Sequence, residues 1–388
     1  MPVIDRIAEW QDQMAAWRRH LHAHPETAFE ERDTAAFVAE QLVGFGLEVH
    51  RGLAGTGIVA TLRTGDGPAI GLRADMDALH ISEANAIAHR STRPGRMHAC
   101  GHDGHMAMLL GAAKYLCETK QFQGTVHFIF QPAEENEGGG RTMVEEGLFD
   151  RFPVRAVYGM HNWPGMAPGR FGVRAGPMMA AFDLFEITLL GQGSHAAMPH
   201  LGTDPVVAAA ALISALQTIP SRGTNPLDAA VVSVTRLQAG DTWNVIPDRA
   251  WLGGTARALR PEVQDYVEQS LRRVAAGVAA AHGVEAEVRY ERRYPPTINY
   301  AAETENAAAA AAVVVGEEAV DRDVRPSMGS EDFAFMLQQR PGCYVWIGNG
   351  GGDEGRNLHN PHYDFNDDIL AVGASYWASL VERTLAGR

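Results

Sequence analysis

Apolar residues recur at three-to-four spacing through Ile4, Ile7, Trp10, Met14, Trp17 and Leu21, which predicts an amphipathic helix over 3–23. A second helix is expected over about 30–45, stopped by Gly46. The pattern then shortens. Apolar runs at 57–62, 69–72, 125–130 and 154–160 read as strands, with a helix between the second and third that ends near Leu116. Strands that alternate with helices predict an α/β fold, a mainly parallel sheet with helices on both faces.

Near residue 180 the rhythm changes. Strands are expected at 182–190, 229–237, 249–258 and 285–294, with an Ala-rich helix over 204–219 and a Pro-initiated helix over 261–281. The order β-α-β-β-α-β is the split βαβ pattern of a ferredoxin-like domain. The expected division is therefore a main domain in two parts, 1–180 and 295–388, with an inserted domain over 181–294. Pro295-Pro296 marks the exit from the insert. Beyond it, 303–315, 332–337 and 369–385 read as helices and 343–347 as a strand.

Composition narrows the choices. A chain of 388 residues is long enough for two domains, and 46% hydrophobic residues fit a globular protein. The formal charge of −14 argues against nucleic acid or an anionic membrane as partner. Cys100, Cys117 and Cys343 form no disulfide framework, which suits a reducing compartment and predicts a cytoplasmic location. The opening Met1-Pro2-Val3-Ile4-Asp5 lacks a basic-then-apolar signal pattern. The apolar runs near 206–216 and 307–315 are too short to span a bilayer. A Gly-rich loop is expected over 348–355.

The chemistry concentrates in Met97-His98-Ala99-Cys100-Gly101-His102-Asp103-Gly104-His105, which holds three histidines and one of the three cysteines. Cys100 and His102 can project to one side, and thiolate with imidazole suits zinc and its neighbours. Alone, the pair is a weak metal signal, since full sites need three or four protein ligands, and the plainer reading is a polar loop with one buried cysteine. Asp103 stands where it can cap the following helix. Other polar residues follow apolar strands: Asp75 and Asp77, Glu134 and Glu135, and His161, with His359 and His362 in the loop before the last helix. Cys100, His102, Glu135, His161 and His359 are too many for one tetrahedral zinc. They suit two ions about 3.5–4 Å apart. Glu134, beside Glu135, is placed as the base that deprotonates a water and returns the proton to a leaving nitrogen. Asp75 is either a turn residue or a carboxylate that fixes a ligand histidine. His20, His22 and His24 read as a polar helix end before Pro25, and Glu137 as a solvated loop residue.

These residues resemble the two-metal aminoacylase and carboxypeptidase superfamily, in particular its hippurate hydrolase and N-acyl-L-amino-acid amidohydrolase branch. The similarity runs through Arg19-His20-Leu21-His22, Arg73-Ala74-Asp75-Met76-Asp77-Ala78-Leu79, the 97–105 stretch, Phe130-Gln131-Pro132-Ala133-Glu134-Glu135 and Gly159-Met160-His161-Asn162. It continues through Gly191-Gln192-Gly193-Ser194-His195-Ala196-Ala197, Asn244-Val245-Ile246-Pro247, Gly329-Ser330-Glu331-Asp332-Phe333 and His359-Asn360-Pro361. The resemblance implies a catalytic domain with an inserted lid that dimerises, hence a homo-oligomer. It implies that Cys100 bridges two divalent ions (Zn, Mn, Co or Ni), that Glu134 is the general base and that His195 supports the oxyanion. It implies that Asn244 and Arg257 hold the substrate carboxylate. The expected reaction is cleavage of a small N-acyl L-amino acid to a carboxylic acid and a free amino acid, by a metal-bound hydroxide. A dipeptidase or aminopeptidase of the same superfamily, or a silent binding protein, are the alternatives. His80 stands where many relatives have proline and Glu26-Thr27-Ala28 where they have Glu-Leu-Gly. His80 is expected near the site entrance, where it would bear on acyl choice.

Overall fold

The run Gly124–Gln131 forms a strand in which every residue is buried, as expected of the middle of a covered sheet. The computed structural model describes residues 3–135, 137–352 and 356–387. Met1, Pro2, Asn136 of the acidic loop and positions 353–355 of the Gly-rich loop lie outside the described residues.

The chain divides into two compact units. One comprises Met1–Met178, Ile298–Arg325 and Asp332–Arg388, and the other Met179–Thr297 with Pro326–Glu331. The last segment was not expected in the insert. It is held there by backbone bonding of Ala180 N–H to Gly329 at 2.8 Å and by the donation of Arg257 to Ser330 Oγ at 3.2 Å.

The first unit is built on an eight-stranded sheet in the order Glu48–Leu53, Gly57–Thr64, Gly124–Gln131, Ala69–Asp75, Ala156–Pro164, Gly342–Gly350, Phe171–Gly172, Val320–Asp321. The strands Gly124–Gln131, Ala69–Asp75, Ala156–Pro164 and Gly342–Gly350 are parallel neighbours. The helix His102–Thr119 packs against Gln11–Ala23 and Leu370–Thr384, burying Met106, Leu109, Leu110 and Leu116 completely. Asp75, Gln131 and His161 thus arrive at the carboxyl ends of parallel strands, where open α/β sheets build sites.

The second unit is a four-stranded antiparallel sheet ordered Ala230–Ala239, Arg249–Ala258, Phe182–Leu190, Glu285–Tyr294. Helices Pro205–Leu216 and Pro261–His282 pack Leu212, Leu216, Val267 and Leu271 against Ile187, Leu189 and Leu252. Asp204 caps the first helix by accepting from Val206 and Val207 N–H. A π-turn at Ile219–Gly223 lengthens that apolar stretch beyond the sequence expectation, to 19 residues. Its Ala208, Ala209, Leu212 and Leu216 face belongs to the core of this unit.

Asp103 does not cap its helix. It lies inside the first turn, fully buried, and accepts from His22 at 2.8 Å with Arg18 3.7 Å away. Two buried cationic side chains claim the carboxylate that a helix N-terminus would otherwise use. His22 is accordingly no polar helix end, whereas His20 and His24 are exposed.

Candidate metal centre

Gly101 separates Cys100 from His102 with φ of 95°, a left-handed turn that lets the loop end and the helix begin within one residue. A side chain there would run into Asn162 Oδ1 and Tyr363 Oη. The donor atoms of Cys100, His102 and His161 lie within 4.8 Å of one another, as do those of Cys100, Glu135 and His359, and those of His102, Glu134 and Glu135. Cys100 Sγ is 3.4 Å from His161 Nε2, and His359 Nε2 is 3.2 Å from Glu135 Oε1. His359 comes from a loop at φ of 62°, with its N–H bonded to Ala99 at 2.8 Å. The structure therefore brings together, in the first unit, all five expected ligands and Glu134. Glu137 is exposed, and so is His362, whose N–H bonds Asn360.

The electrostatics favour a cation. Burial and the charges of Glu135, Glu134 and Asp75 hold the Cys100 thiol well above its usual range. Burial and His105 hold His161 well below its own. Burial opposes protonation of His102, but Asp75, Asp77 and Glu135 outweigh it and push it up to about 10. Among the described residues, the buried Nε2 of His102 makes no hydrogen bond, its nearest carboxylate oxygens being those of Asp75 at 3.8 Å and Glu135 at 3.9 Å. Unbonded buried donors and acceptors are rare. Sulfur, imidazole and carboxylate around this spot fit a borderline divalent ion, and Cys100 is common to two of the groups.

The supporting carboxylates differ from the expectation. Asp75 makes its short bond, 2.6 Å, to Nδ1 of His105, which is outside the expected ligand set, and is 3.8 Å from His102 Nε2. The carboxylate facing Nδ1 of His102 is Asp77, at 3.3 Å. Positions two apart on extended backbone share a side, so the Asp-x-Asp pattern offers both residues equally and only the fold ranks them. Arg73, buried behind them, donates to Asp75, Gln131 and Asp332 at 2.8–3.0 Å.

His195, Asn244 and Arg257 lie in the second unit. Ser194–His195 pairs with Val245–Ile246, and Asn244 O accepts from Ala196 N–H at 3.0 Å, so His195 and Asn244 share one exposed corner. Arg257 is half-buried, its guanidinium 4.1 Å over the Phe182 ring. His80 is exposed, just past the bridge between Leu79 and Met97.

The sequence model of peptidase family M20/M25/M40 matches residues 71–383. The chain belongs to this family. An N-acetylcysteine deacetylase of Bacillus subtilis is 41% identical over 366 residues, 94% of each chain. A hippurate hydrolase of Campylobacter jejuni is 39% identical over 386 residues, 99% of this chain and all of that one. The crystal structure of a dinuclear metal-binding M20 peptidase from Bacillus subtilis superposes with a TM-score of 0.85 at 37% identity, covering 97% of this chain and 99% of that one. This M20 protein is thus a metal-dependent hydrolase of amide bonds, in agreement with the resemblance carried by its motifs.

Proposed function

We propose that this M20 protein hydrolyses N-acyl L-amino acids to a carboxylic acid and a free amino acid. The observation that carries the reading is the overlap of three donor groups, in which Cys100, His102 and Glu135 are each shared by two, with the further carboxylate of Glu134 alongside. In this reading Cys100, His102, Glu135, His161 and His359 would hold two divalent ions. Two such ions would acidify a water molecule and polarise the scissile carbonyl. Glu134, 7% exposed, takes the water's proton as the C–O bond forms and delivers it to the nitrogen as the C–N bond breaks. His195 donates to the oxyanion, and Arg257 with Asn244 holds the substrate carboxylate, for which a guanidinium fork is suited. Relatives named for N-acetylcysteine and hippurate, at 41% and 39% identity, support the substrate class.

The ions are Zn, Mn, Co or Ni, since all accept this mixed donor set. The second unit serves as a lid and as the contact of a homo-oligomer. The three cysteines are free, which supports the cytoplasm as its place. The test is release of free amine from a panel of N-acetyl and N-benzoyl amino acids, with chelated and metal-restored enzyme. Metal-dependent release that disappears in Glu134→Gln, with metal still bound, is expected. Cleavage of free dipeptides alone would overturn the substrate class, and an active Glu134→Gln would overturn the base.

A further inference from the structure

A carboxylate outside the ligand set fixes the turn that carries Glu134. After the strand Gly124–Gln131, Ala133 adopts φ of 53°, in the left-handed region. That conformation is unfavourable for an alanine and persists only where its surroundings over-determine it. Here the Ala133 N–H donates to Glu31 Oε1 at 2.9 Å, and the Ala133 carbonyl accepts from Gly139 N–H at 2.9 Å. Glu31 is fully buried. Its Oε1 also accepts from Phe29 N–H at 3.0 Å, at another left-handed residue, and its Oε2 accepts from Thr56 Oγ1 at 2.7 Å.

We propose that Glu31 is the positioning residue of the general-base loop, setting the turn at Ala133 so that Glu134 stays beside His102 and Glu135. Three donors converge on two oxygens, which calls for a group with acceptors to spare, and a carboxylate is one. The arrangement is maintained against a cost. Burial and the charge of Asp77 push the Glu31 carboxyl up to about 7, although the bonds from Thr56 and Ala133 oppose this. Beyond the turn, Glu135 N–H is held by Asp77 at 2.9 Å and Gly140 N–H by Asp332 at 2.7 Å; before it, Gln131 Nε2 donates to the Pro132 carbonyl at 3.2 Å, and Glu31 is the carboxylate that holds the Ala133 N–H.

The proposal rests on Glu134 as the base, so Glu134→Gln is measured in parallel. In metal-loaded full-length enzyme, Glu31→Ala should lower kcat at least about ten-fold, with KM unchanged within about two-fold, as misorientation of a catalytic group does. Bound metal, counted by mass spectrometry, should stay at the wild-type level, and amide exchange of 132–139 should quicken. Glu31→Gln, which keeps an acceptor for the backbone donors, should retain kcat within about three-fold. Adding Ala133→Gly to Glu31→Ala should recover most of the loss, because glycine takes the left-handed turn freely. Wild-type kcat in Glu31→Ala, a loss confined to KM or metal content, or no recovery with Ala133→Gly overturns the proposal. If Glu31→Ala does not fold, Thr56→Val decides: kcat lowered at unchanged KM supports the proposal, and unchanged kcat overturns it. A silent Glu134→Gln with a fully active Glu31→Ala removes the positioning role alone. An active Glu134→Gln removes the base and the proposal with it.

Discussion

Asp77 Oδ2 accepts the backbone N–H of Glu135 at 2.9 Å, tying the end of one parallel strand to the acidic turn that follows its neighbour. Its Oδ1 faces Nδ1 of His102 at 3.3 Å. One carboxylate therefore orients two candidate ligands, a backbone for one and an imidazole for the other. Asp77→Ala should weaken divalent-ion binding about 10–100-fold, the usual range for partners of ligands. Asp77→Asn, whose amide oxygen still accepts from Glu135, should lose less. Competition with a coloured chelator reads both affinities, and wild-type affinity in Asp77→Ala would refute this orienting role.

Arg73 is 1% exposed and donates to Gln131, Asp75 and Asp332 at once. It is the cation that two buried carboxylates share. Arg73→Leu should destabilise the fold by about 3–5 kcal/mol, since removing one member of a buried charge group leaves the others uncompensated. Arg73→Lys, a point charge without the fork, should satisfy fewer of the three acceptors and lose part of that amount. Urea unfolding of the three proteins measures it, and an unchanged midpoint in Arg73→Leu would count against the argument.

Much of the centre is legible in the chain alone, because ligand-type residues at the ends of apolar strands are a pattern of the sequence itself. Glu135 and His161 stand out that way and Cys100 by its place in the histidine-rich 97–105 stretch, and the structure gathers them with His102 and His359. What surrounds them is not legible. Arg18 and His22 lie four and eight residues beyond Met14, on the stripe that faces the core, and polar identity alone hides their burial. Their partners Asp103, Glu83 and Asp367 come from distant parts of the chain. Periodicity reports which face of an element is inward. It does not report which charge meets another there, so Asp103 reads as a cap and Glu31 gives no signal. Segment 326–331 joins the second unit through backbone and side-chain bonds that leave no periodic trace.

Gly101 should tolerate no side chain. Its φ of 95° is strained for any L residue, and a Cβ would meet Asn162 Oδ1 and Tyr363 Oη, from two side chains that bond each other. Gly101→Ala should therefore spread Cys100 from His102 as well as destabilise the helix start. Reduced metal stoichiometry and a lower unfolding midpoint are expected together. A variant that keeps two ions and the wild-type midpoint would show that the turn can be adopted by alanine.

His22 makes the stability of the fold depend on pH in a definite direction. Burial disfavours its charge, but bonds to Asp103 at 2.8 Å and Glu83 at 3.3 Å outweigh burial and push it up to about 9. Arg18, His89 and His98 also face it. Arg18 opposes its protonation, and His98 stays neutral because burial pulls it down to about 4. Both nitrogens of a charged ring donate, one to each carboxylate. An unfolded histidine titrates near 6.5, so this contribution is fully present below about pH 6.5 and is lost as pH rises through about 9. A span of that size corresponds to about 3 kcal/mol at most. Urea midpoints of wild type and His22→Gln, taken between pH 6 and 10 at fixed saturating metal, isolate it. Wild type should be the more stable protein at pH 6, and the gap should narrow above pH 8 as the imidazolium loses its proton. A gap that is constant or widens with pH would mean that His22 is neutral in the folded state, and Asp103 and Glu83 would then be held by Arg18 and backbone donors.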